Sequence, residues 1–475
     1  MKSSSHEKNK FSGMIAMFSL LYVAILVEVF VKIFAYFNAG FSLENISLFV
    51  AYGASLPCIL LSFSIYLGSS RSSTYLSQTK LMAVILALFL NFTVNLIIEE
   101  FDLYLIPTAF AALILVQLVD KRDVFVSNLI LNMVMLVTTF FESKICGVEY
   151  AAMESIFMFL ISVLTGAVIS YSLSGVSSRI SFILRSFLIV SINIELMYMI
   201  NLVSDVFYFF ELVGWLCLAN YGQVVLSMVF EPIFESVFRI LTNTKLQELT
   251  DHNAPLVHRL ISEAPGTFNH CLSVASLAEV CAMAIGENAL LTKACAYYHD
   301  MGKLSSPMYF AENQSVGENP HDNLLPEVSA DILRRHTTYG YELCRQNKIP
   351  EEIARVTVEH HGTLPMAVFY NKAKQLTDSD VDIEDYSYYG SHPTTKIAAI
   401  IMICDACEAA LRSMGNPTSE QVEQLLGNII RDRIERGQFD DCSITMQDIN
   451  NIRETIKNAY GGLVHSRVKY PKGDK

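Results

Sequence analysis

Most side chains that could bind a metal ion lie in the second half of this sequence. Of the 11 histidines, only His6 precedes residue 252. Five histidines and two aspartates fall at or near the apolar faces of successive predicted helices. Imidazole and carboxylate without thiolate suit Fe, Mn or similar metals better than a structural zinc. The set could supply two octahedral metal sites and consists of His270, His299, Asp300, His336, His360, His361 and Asp405.

Simpler interpretations exist for these residues. A lone helical histidine is more often a hydrogen-bonded core residue than a ligand, and HD or HH pairs arise by chance. Asp405 is harder to explain in this way, because a carboxylate in the apolar stretch IAAIIMICDACEAAL needs a partner such as a cation. Cys404 and Cys407 flank it as a CxxC, but no second pair follows at zinc-site spacing. The sequence therefore favours two small core residues over a redox or zinc role.

Five predicted helices must bring the seven residues together. Charges at helical spacing, separated by Pro, Gly and Asn stops, predict that the second half is all-α. The residues fall early in the helix after Pro265, at the end of ALLTKACAYYHDMGK, in the helix after Pro326, at the end of EEIARVTVEHHGT and within the helix of Asp405. The stretch 371–393, rich in Asp, Ser and Tyr, is predicted to be an irregular insertion or lid.

The composition indicates a membrane half and a soluble half. Of the 475 residues, 52% are hydrophobic and only 17% are charged. Residues 1–235 carry 11 Lys/Arg and 16 Asp/Glu, whereas residues 236–475 carry 23 and 31, a net charge of 23 minus 31, or −8. An acidic soluble half argues against a nucleic-acid polymer as partner. We expect a tail at 1–10, a membrane bundle at 11–235 and a soluble domain at 236–475, with a helical linker at 236–262.

Eight apolar stretches are long enough, or nearly so, to cross a lipid bilayer as helices. The first follows the basic segment MKSSSHEKNK, has no small-residue cleavage site and is too long for a signal peptide, so it is predicted to be retained. The predicted architecture is therefore an all-α membrane bundle followed by an all-helical domain. The stretches are roughly 11–36, 46–68, 80–98, 101–119, 124–141, 152–174, 183–204 and 206–230.

Charges in the loops predict the orientation of the bundle. The N-terminal segment and every second loop are basic, as at Arg71 and Lys80 or at Lys121 and Arg122. The alternate loops are acidic or neutral, with Lys144 and Lys32 as exceptions. Because basic loops face the cytosol, eight spans place both termini there.

Glu195 is predicted near the middle of a span, where an acid is costly in hydrocarbon and should face the bundle interior. It could mark a ligand or ion pathway, but interhelical hydrogen bonding is the favoured alternative. No regular series of acids lines several spans, so a transporter is disfavoured.

Several motifs in the soluble half together resemble one family. EAPGTFNH, YYHDMGK, YFAENQ, NPHDN, EHHGT and AIIMICDACEAALRS occur in order. They closely resemble the seven-transmembrane HD receptors, the PgpH-type cyclic di-AMP phosphodiesterases. The resemblance extends into the membrane half through LIPTAFAALILVQLVDKRD and covers about residues 46–471. It implies that residues 236–475 form an HD phosphohydrolase domain.

The resemblance also implies roles for individual residues. It implies one metal bound by His270, His299, Asp300 and Asp405 and a second bound by His336, His360 and His361, with Asp300 bridging the two. Asp300 and Lys303 would be catalytic, with Lys303 near phosphate; a solvated charge is its simpler interpretation. Arg412 and His465 fall in matching segments and are weaker candidates for substrate contact, together with Lys303.

The function that the resemblance implies is hydrolysis of cyclic di-AMP to pApA by two divalent transition-metal ions, Mn or Fe, in second-messenger signalling. The chain would be a multi-pass protein of a bacterial cell membrane with a cytoplasmic HD domain; a homo-oligomer is left open. The alternatives are a non-catalytic nucleotide receptor and an HD hydrolase of another nucleotide, although HHGTLP lacks the GYP motif of cyclic di-GMP enzymes. Family members usually carry a large extracellular domain between the first two spans, where this chain has only FNAGFSLEN.

Overall fold

The chain is described by a computed structural model of two compact units, Met1–Thr244 and Lys245–Lys475. The structure describes all residues except 1, 38–42, 71, 100, 102–105, 147–151, 177, 204–208, 315–316, 318, 378–379, 415–416 and 466–475. In the described part, the fold is helical without β-strands, as the sequence predicts.

The first unit is a bundle of long helices. The predicted boundary after residue 235 falls inside its last long helix, which continues to Phe238. Only residues 38–42 separate the first two helices, so no domain intervenes there. The helices are α1 Lys2–Phe37, α2 Leu43–Ser70, α3 Ser73–Leu76, α4 Gln78–Glu99, α5 Phe110–Leu115, α6 Lys121–Cys146, α7 Ala152–Ser172, α8 Arg179–Val203 and α9 Phe209–Phe238.

Seven of these helices, all in the described part of the chain, are long and apolar enough to cross a membrane, which makes this a multi-pass membrane protein. The predicted spanning helix at 101–119 is wrong in its described part. That part contains only α5, whose 6 residues reach about 9 Å at 1.5 Å per residue. All six are buried, and non-helical backbone is tolerated at membrane depth when protein surrounds it.

Polar side chains from neighbouring helices support the backbone around α5. Asn91 accepts a hydrogen bond from the Ala111 amide (2.9 Å) and donates one to the Pro107 carbonyl (3.2 Å). Gln223 accepts one from the Ala109 amide (3.0 Å). The buried side-chain amides of Asn91 and Gln223 therefore make hydrogen bonds to backbone groups that would have bonded to each other in a continuous helix.

Side-chain contacts identify the two ends of the bundle. At one end, the Tyr66 hydroxyl donates to Asp123 over 3.3 Å, which brings the end of α2 to the start of α6. At the other end, Lys32 Nζ lies 2.7 Å from a Glu142 oxygen and 3.6 Å from a Glu99 oxygen. Glu99 and the start of α6 therefore lie at opposite ends of the bundle, and the chain that joins them, whose described part contains α5, runs from one end to the other. Lys32, an exception to the loop pattern, is a buried ion-pair partner.

The position of Glu195 differs from the prediction, because its side chain is exposed on the surface of α8. Asn193 is buried instead and donates to Asn220 Oδ1 over 2.9 Å. Asn193 and Glu195 are two residues apart, which corresponds to a rotation of roughly 200° about the helix axis, so their side chains point to opposite faces. The Asn193 side-chain amide, and not Glu195, thus makes the hydrogen bond to the neighbouring helix.

The second unit packs its helices around α18, in which every residue from Ile397 to Asp405 is buried. Pro255, Pro265 and Pro326 each occupy the first turn of a helix, where their missing N–H groups cost little. The helices are α10 Asn243–Leu249, which begins just before the boundary, α11 Pro255–Glu263, α12 Pro265–Ala284, α13 Ala289–Tyr298, α14 Pro326–Gln346, α15 Glu351–Ala354, α16 Val356–Glu359, α17 Ala367–Leu376, α18 Lys396–Met414, α19 Ser419–Glu435 and α20 Met446–His465.

Candidate metal centre

The five predicted helical segments converge on one buried site. His270 lies on α12, the His299–Asp300 pair follows α13, His336 lies on α14, and Asp405 lies on α18. His360 and His361 follow α16 directly. Close approach of the segments depends on Gly302, where an added Cβ would lie 1.7 Å from the His336 carbonyl oxygen. This glycine lets the 3-10 turn Met301–Ser305 pack against α14.

Three groups of three potential ligands form in the described part of the second unit, and two of them consist of histidine and aspartate alone. Within each of these two, one nitrogen or oxygen atom per residue lies within 4.8 Å of the others, a spacing that a shared metal ion can occupy. Both contain imidazole, and one also contains a carboxylate. The groups are His270, His299 and Asp405, and His336, His360 and His361.

Asp300 lies between the two groups and offers one carboxylate oxygen to each. Oδ2 is 3.3 Å from His299 Nε2 and 3.6 Å from His270 Nε2. Oδ1 is 3.5 Å from His336 Nε2 and 3.6 Å from His360 Nε2. A carboxylate in this position can bridge two cations.

The histidine rings are oriented by hydrogen bonds at their far nitrogens. Nδ1 of His299 is 2.7 Å from the Ala296 carbonyl oxygen, and Nδ1 of His336 is 2.5 Å from the Leu333 carbonyl oxygen. His360 makes the same contact with the carbonyl of Val356, at 3.1 Å. An Nδ1–H that donates to a carbonyl leaves Nε2 as a lone-pair donor, which is the arrangement of metal-binding histidines.

Buried atoms without hydrogen-bond partners fit a metal. His299 Nε2 and both Asp300 carboxylate oxygens are such atoms, although Lys303 Nζ lies 2.7 Å from Asp300 Oδ2 as an ion pair. Burial lowers the pKa of His336 to about 3 and also lowers the pKa of His361. Burial alone would lower the pKa values of His270 and His299 as well, but the neighbouring carboxylates raise the first to about 9 and the second well above its usual range, so these two imidazoles must lose a proton when a metal binds. Neutral imidazoles and an ionised Asp300 are the protonation states that metal binding needs.

Lys303 is not a solvated charge. It is 9% exposed, and its ammonium group lies 2.7 Å from both Asp300 and Glu312. Burial alone would lower its pKa, but the charges of these carboxylates raise it above the ordinary lysine range. Lys303 therefore remains protonated and balances the buried charge of Asp300.

Glu408 contacts a candidate ligand and was not predicted from the sequence. Its carboxylate is 2.5 Å from His270 Nδ1, while His270 Nε2 is 2.9 Å from Asp405 Oδ1. It lies three residues after Asp405, on the same face of α18, and is 5% exposed. A second acid one helical turn from Asp405 in an apolar helix was the signal that could have revealed it.

Replacement of Glu408 by glutamine should weaken metal binding, because the carboxylate orients His270. Loss of such a partner typically costs about 10–100-fold in metal affinity or activity. Competition with a chelator measures the affinity. The matched control is Glu435→Gln, an exposed acid at the end of α19, and equal affinities in the two variants would contradict a positioning role for Glu408.

The candidate substrate-contact residues occupy different surroundings. The guanidinium of Arg412 lies 3.5 Å from Glu408 and is 44% exposed, so it borders the site without entering the ligand groups. His465 ends α20, but its side chain lies outside the described residues. Neither position by itself indicates that the side chain contacts a substrate.

The predicted lid contributes an aromatic ring to the site. Its first residues belong to α17, and after that helix the described backbone is irregular apart from a 3-10 turn at Glu384–Tyr386. The Tyr388 ring stacks on His361 with centroids 4.3 Å apart, and its amide donates to the Leu364 carbonyl over 3.0 Å. Tyr388 therefore covers one side of the second ligand group, a role that the sequence analysis missed.

The cysteines of the CxxC are core residues of α18. Cys404 and Cys407 are both 0% exposed, and Cys404 Sγ lies 3.9 Å from Cys281 Sγ. The potential metal-binding groups in the described residues include neither of them. Another group contains Cys271, whose thiol is 3.9 Å from His299 Nδ1, the nitrogen that already contacts a carbonyl.

Comparison with known proteins finds both units in one family. A model described as the HD domain matches residues 267–410, and a model described as the 7TM receptor with intracellular HD hydrolase matches residues 46–242. A crystal structure of the L. monocytogenes phosphodiesterase PgpH HD domain in complex with cyclic di-AMP is 44% identical, covers 45% of this chain and 100% of that chain, and has a TM-score of 0.44.

Full-length relatives extend the similarity across the membrane unit. The cyclic-di-AMP phosphodiesterase PgpH of Listeria monocytogenes serotype 1/2a (strain 10403S) is 37% identical over 404 residues, 84% of this chain and 54% of that protein. The protein of the same name from Bacillus subtilis (strain 168) is 35% identical over 387 residues, 78% of this chain and 52% of that protein. The chain thus spans about half the length of these curated relatives. It belongs to the family of seven-transmembrane receptors with an intracellular HD hydrolase domain.

Proposed function

We propose that this protein is a membrane-anchored, metal-dependent phosphodiesterase that hydrolyses cyclic di-AMP to pApA. The observation that carries the proposal is Asp300, which offers one oxygen to each of two groups of buried histidines. The names of the two PgpH relatives supply the substrate. The absence of GYP after His361 argues against cyclic di-GMP.

The proposed ligands are those expected from the sequence: His270, His299 and Asp405 for one ion, His336, His360 and His361 for the other, and Asp300 for both. Nitrogen and oxygen donors without thiolate favour Mn or Fe. Two such ions, when bound, lower the pKa of a water molecule and offset the charge that develops on phosphoryl oxygens.

The chain's own residues prepare the site for this chemistry. Carbonyl contacts at Nδ1 hold His299 and His336 with Nε2 toward the centre, and Glu408 does the same for His270. Lys303 balances the charge of Asp300 and keeps it ionised, so its catalytic effect is exerted through Asp300. Tyr388 stacks on one face of the His361 ring.

The purified full chain, loaded with Mn or with Fe under reducing conditions, tests the function directly. We expect turnover of cyclic di-AMP with pApA as product, and much slower turnover of cyclic di-GMP. Chromatography of the products in parallel reactions measures both. Tight binding of cyclic di-AMP without turnover under either metal would favour a nucleotide receptor instead.

The HD domain is proposed to lie in the cytoplasm. The basic residues Lys80, Lys121 and Arg122 lie at the same end of the bundle as Asn243, just before the second unit begins. Basic residues mark the cytosolic side.

Reporters fused to the ends of the chain test this orientation. A reporter after Lys475 and one before Met1 should both be active only inside the cell, because eight crossings return the chain to its starting side. A fusion at residue 147, between α6 and α7, serves as the control and should be active only outside. Opposite locations of the two termini would contradict eight crossings.

A further inference from the structure

A polar cavity of about 640 Å³ opens at the basic end of the membrane unit, far along the chain from the metal centre. All of its lining residues belong to the first unit. They come from the end of α2 and the loop residue Ser72, the start of α4, the segment that joins α5 to α6, the start of α6, the turn after α7 and the segment after α9. Described residues that are far apart in the sequence thus line one open space.

Three cationic side chains of the described residues line this cavity. Lys80 is half-buried, whereas Lys121 and Arg122 are exposed at the start of α6. The ammonium group of Lys121 lies 5.5 Å from the centre of the Tyr171 ring, which holds it beside the end of α7. With Asp120 and Asp123 as the acids, the lining has a net positive charge and favours an anion.

A buried carboxylate lines the same space. Asp123 is 1% exposed, and its Oδ1 accepts a hydrogen bond from the Tyr66 hydroxyl over 3.3 Å. Its Oδ2 is buried and has no hydrogen-bond partner. A buried carboxylate oxygen without a hydrogen-bond donor costs free energy. The lining of the cavity therefore combines cationic side chains with a buried carboxylate.

We propose that this cavity binds a phosphate ester that carries a hydrogen-bond donor. Its phosphate would contact Lys80, Lys121 and Arg122, and its donor would contact the carboxylate of Asp123. A lipid headgroup at the membrane surface and a soluble phosphate ester share this chemistry. Because Leu241 and Asn243 also line the cavity, the ligand would contact the segment that leads into the second unit.

Two lipids that differ only in donor capacity provide the test. Phosphatidylethanolamine and phosphatidylcholine have the same net charge, but only the first has N–H donors. The full chain in nanodiscs of equal mixtures should retain phosphatidylethanolamine about tenfold over phosphatidylcholine, measured by native mass spectrometry, since a charge-assisted hydrogen bond contributes about this factor. Soluble phosphoethanolamine added as competitor distinguishes the sources: displacement of the lipid indicates a free phosphate ester as an equal ligand, and retention indicates a headgroup anchored by its chains.

Variants distinguish a specific binding site from a general effect of surface charge. Asp123→Asn should abolish the preference between the two lipids, and the exposed Lys121→Gln should reduce total lipid retention severalfold. Lys144→Gln, an exposed lysine at the opposite end of the same helix, is the matched control and should change neither quantity. Equal retention of both lipids by the unmodified protein, or equal effects of Lys121→Gln and Lys144→Gln, would overturn the proposal and leave only the charge bias of a cytosolic surface.

Discussion

Replacement of Asp300 by alanine is expected to reduce the metal content of the protein from close to two ions per chain to close to none. The reason is geometric, because Oδ1 faces His336 and His360 whereas Oδ2 faces His270 and His299. Asp405 also lies near both groups, but its Oδ2 is farther from the second group, 3.8 Å from His361 Nδ1. Elemental analysis of the purified full chain measures the loss, and hydrolysis should fall with it.

The design of this experiment must separate ligand loss from unfolding. Asp300 is 1% exposed and paired with Lys303, so its removal leaves that lysine with Glu312 as its remaining partner. Asp300→Asn keeps the volume of the side chain and removes the charge, and it should also lose metal. Asp432→Ala, a half-exposed acid on α19, is the control and should retain both ions. Full occupancy in Asp300→Asn would refute the bridging role.

The second large effect is expected for His361→Ala, which should lower the rate of cyclic di-AMP hydrolysis by more than about 100-fold. Loss of groups that only orient a ligand already costs about 10–100-fold, and the proposed chemistry needs both ions. Binding of the substrate should fall less, because one ion would remain to contact phosphate. Turnover and equilibrium binding, measured on the same preparation, separate the two effects.

The structure indicates which of the two adjacent histidines gives the cleaner test. His360 is 1% exposed, so truncation leaves a cavity in the core as well as a missing ligand. The His361 side chain is 23% exposed and can be removed with less effect on packing. His258→Ala, an exposed histidine on α11, is the control. Undiminished turnover by a folded His361→Ala variant would rule out the two-metal mechanism.

Periodicity carried most of the information about the fold. The all-α character was predicted correctly, because apolar residues at helical spacing and Pro or Gly stops are local properties of the chain. The prediction of a helix at 101–119 was wrong because it also relied on local properties of the chain. Its apolar composition is compatible with a membrane span, whereas the short helix α5 is supported by hydrogen bonds from the side chains of Asn91 and Gln223, which are distant in sequence.

Residue types alone indicated which side chains could bind metal, and the order of the motifs indicated the family. The identities of His270, Asp300 and Asp405 were available because imidazole and carboxylate groups are unusual on apolar helical faces. The contacts that orient these side chains could not be predicted from the sequence. Contact between Glu408 and His270 joins residues 138 positions apart, and no local pattern encodes such a pairing.

The sequence by itself determined the helical fold, the division into a membrane half and a soluble half, and the set of potential ligands. Tertiary structure decided the rest: the burial of Lys303 against Asp300, the exposure of Glu195, the stacking of Tyr388 on His361 and the cavity around Asp123. The physical reason is that hydrophobicity and helix propensity act between near neighbours along the chain. Ion pairing, desolvation and close packing depend on atoms that only the folded chain brings together.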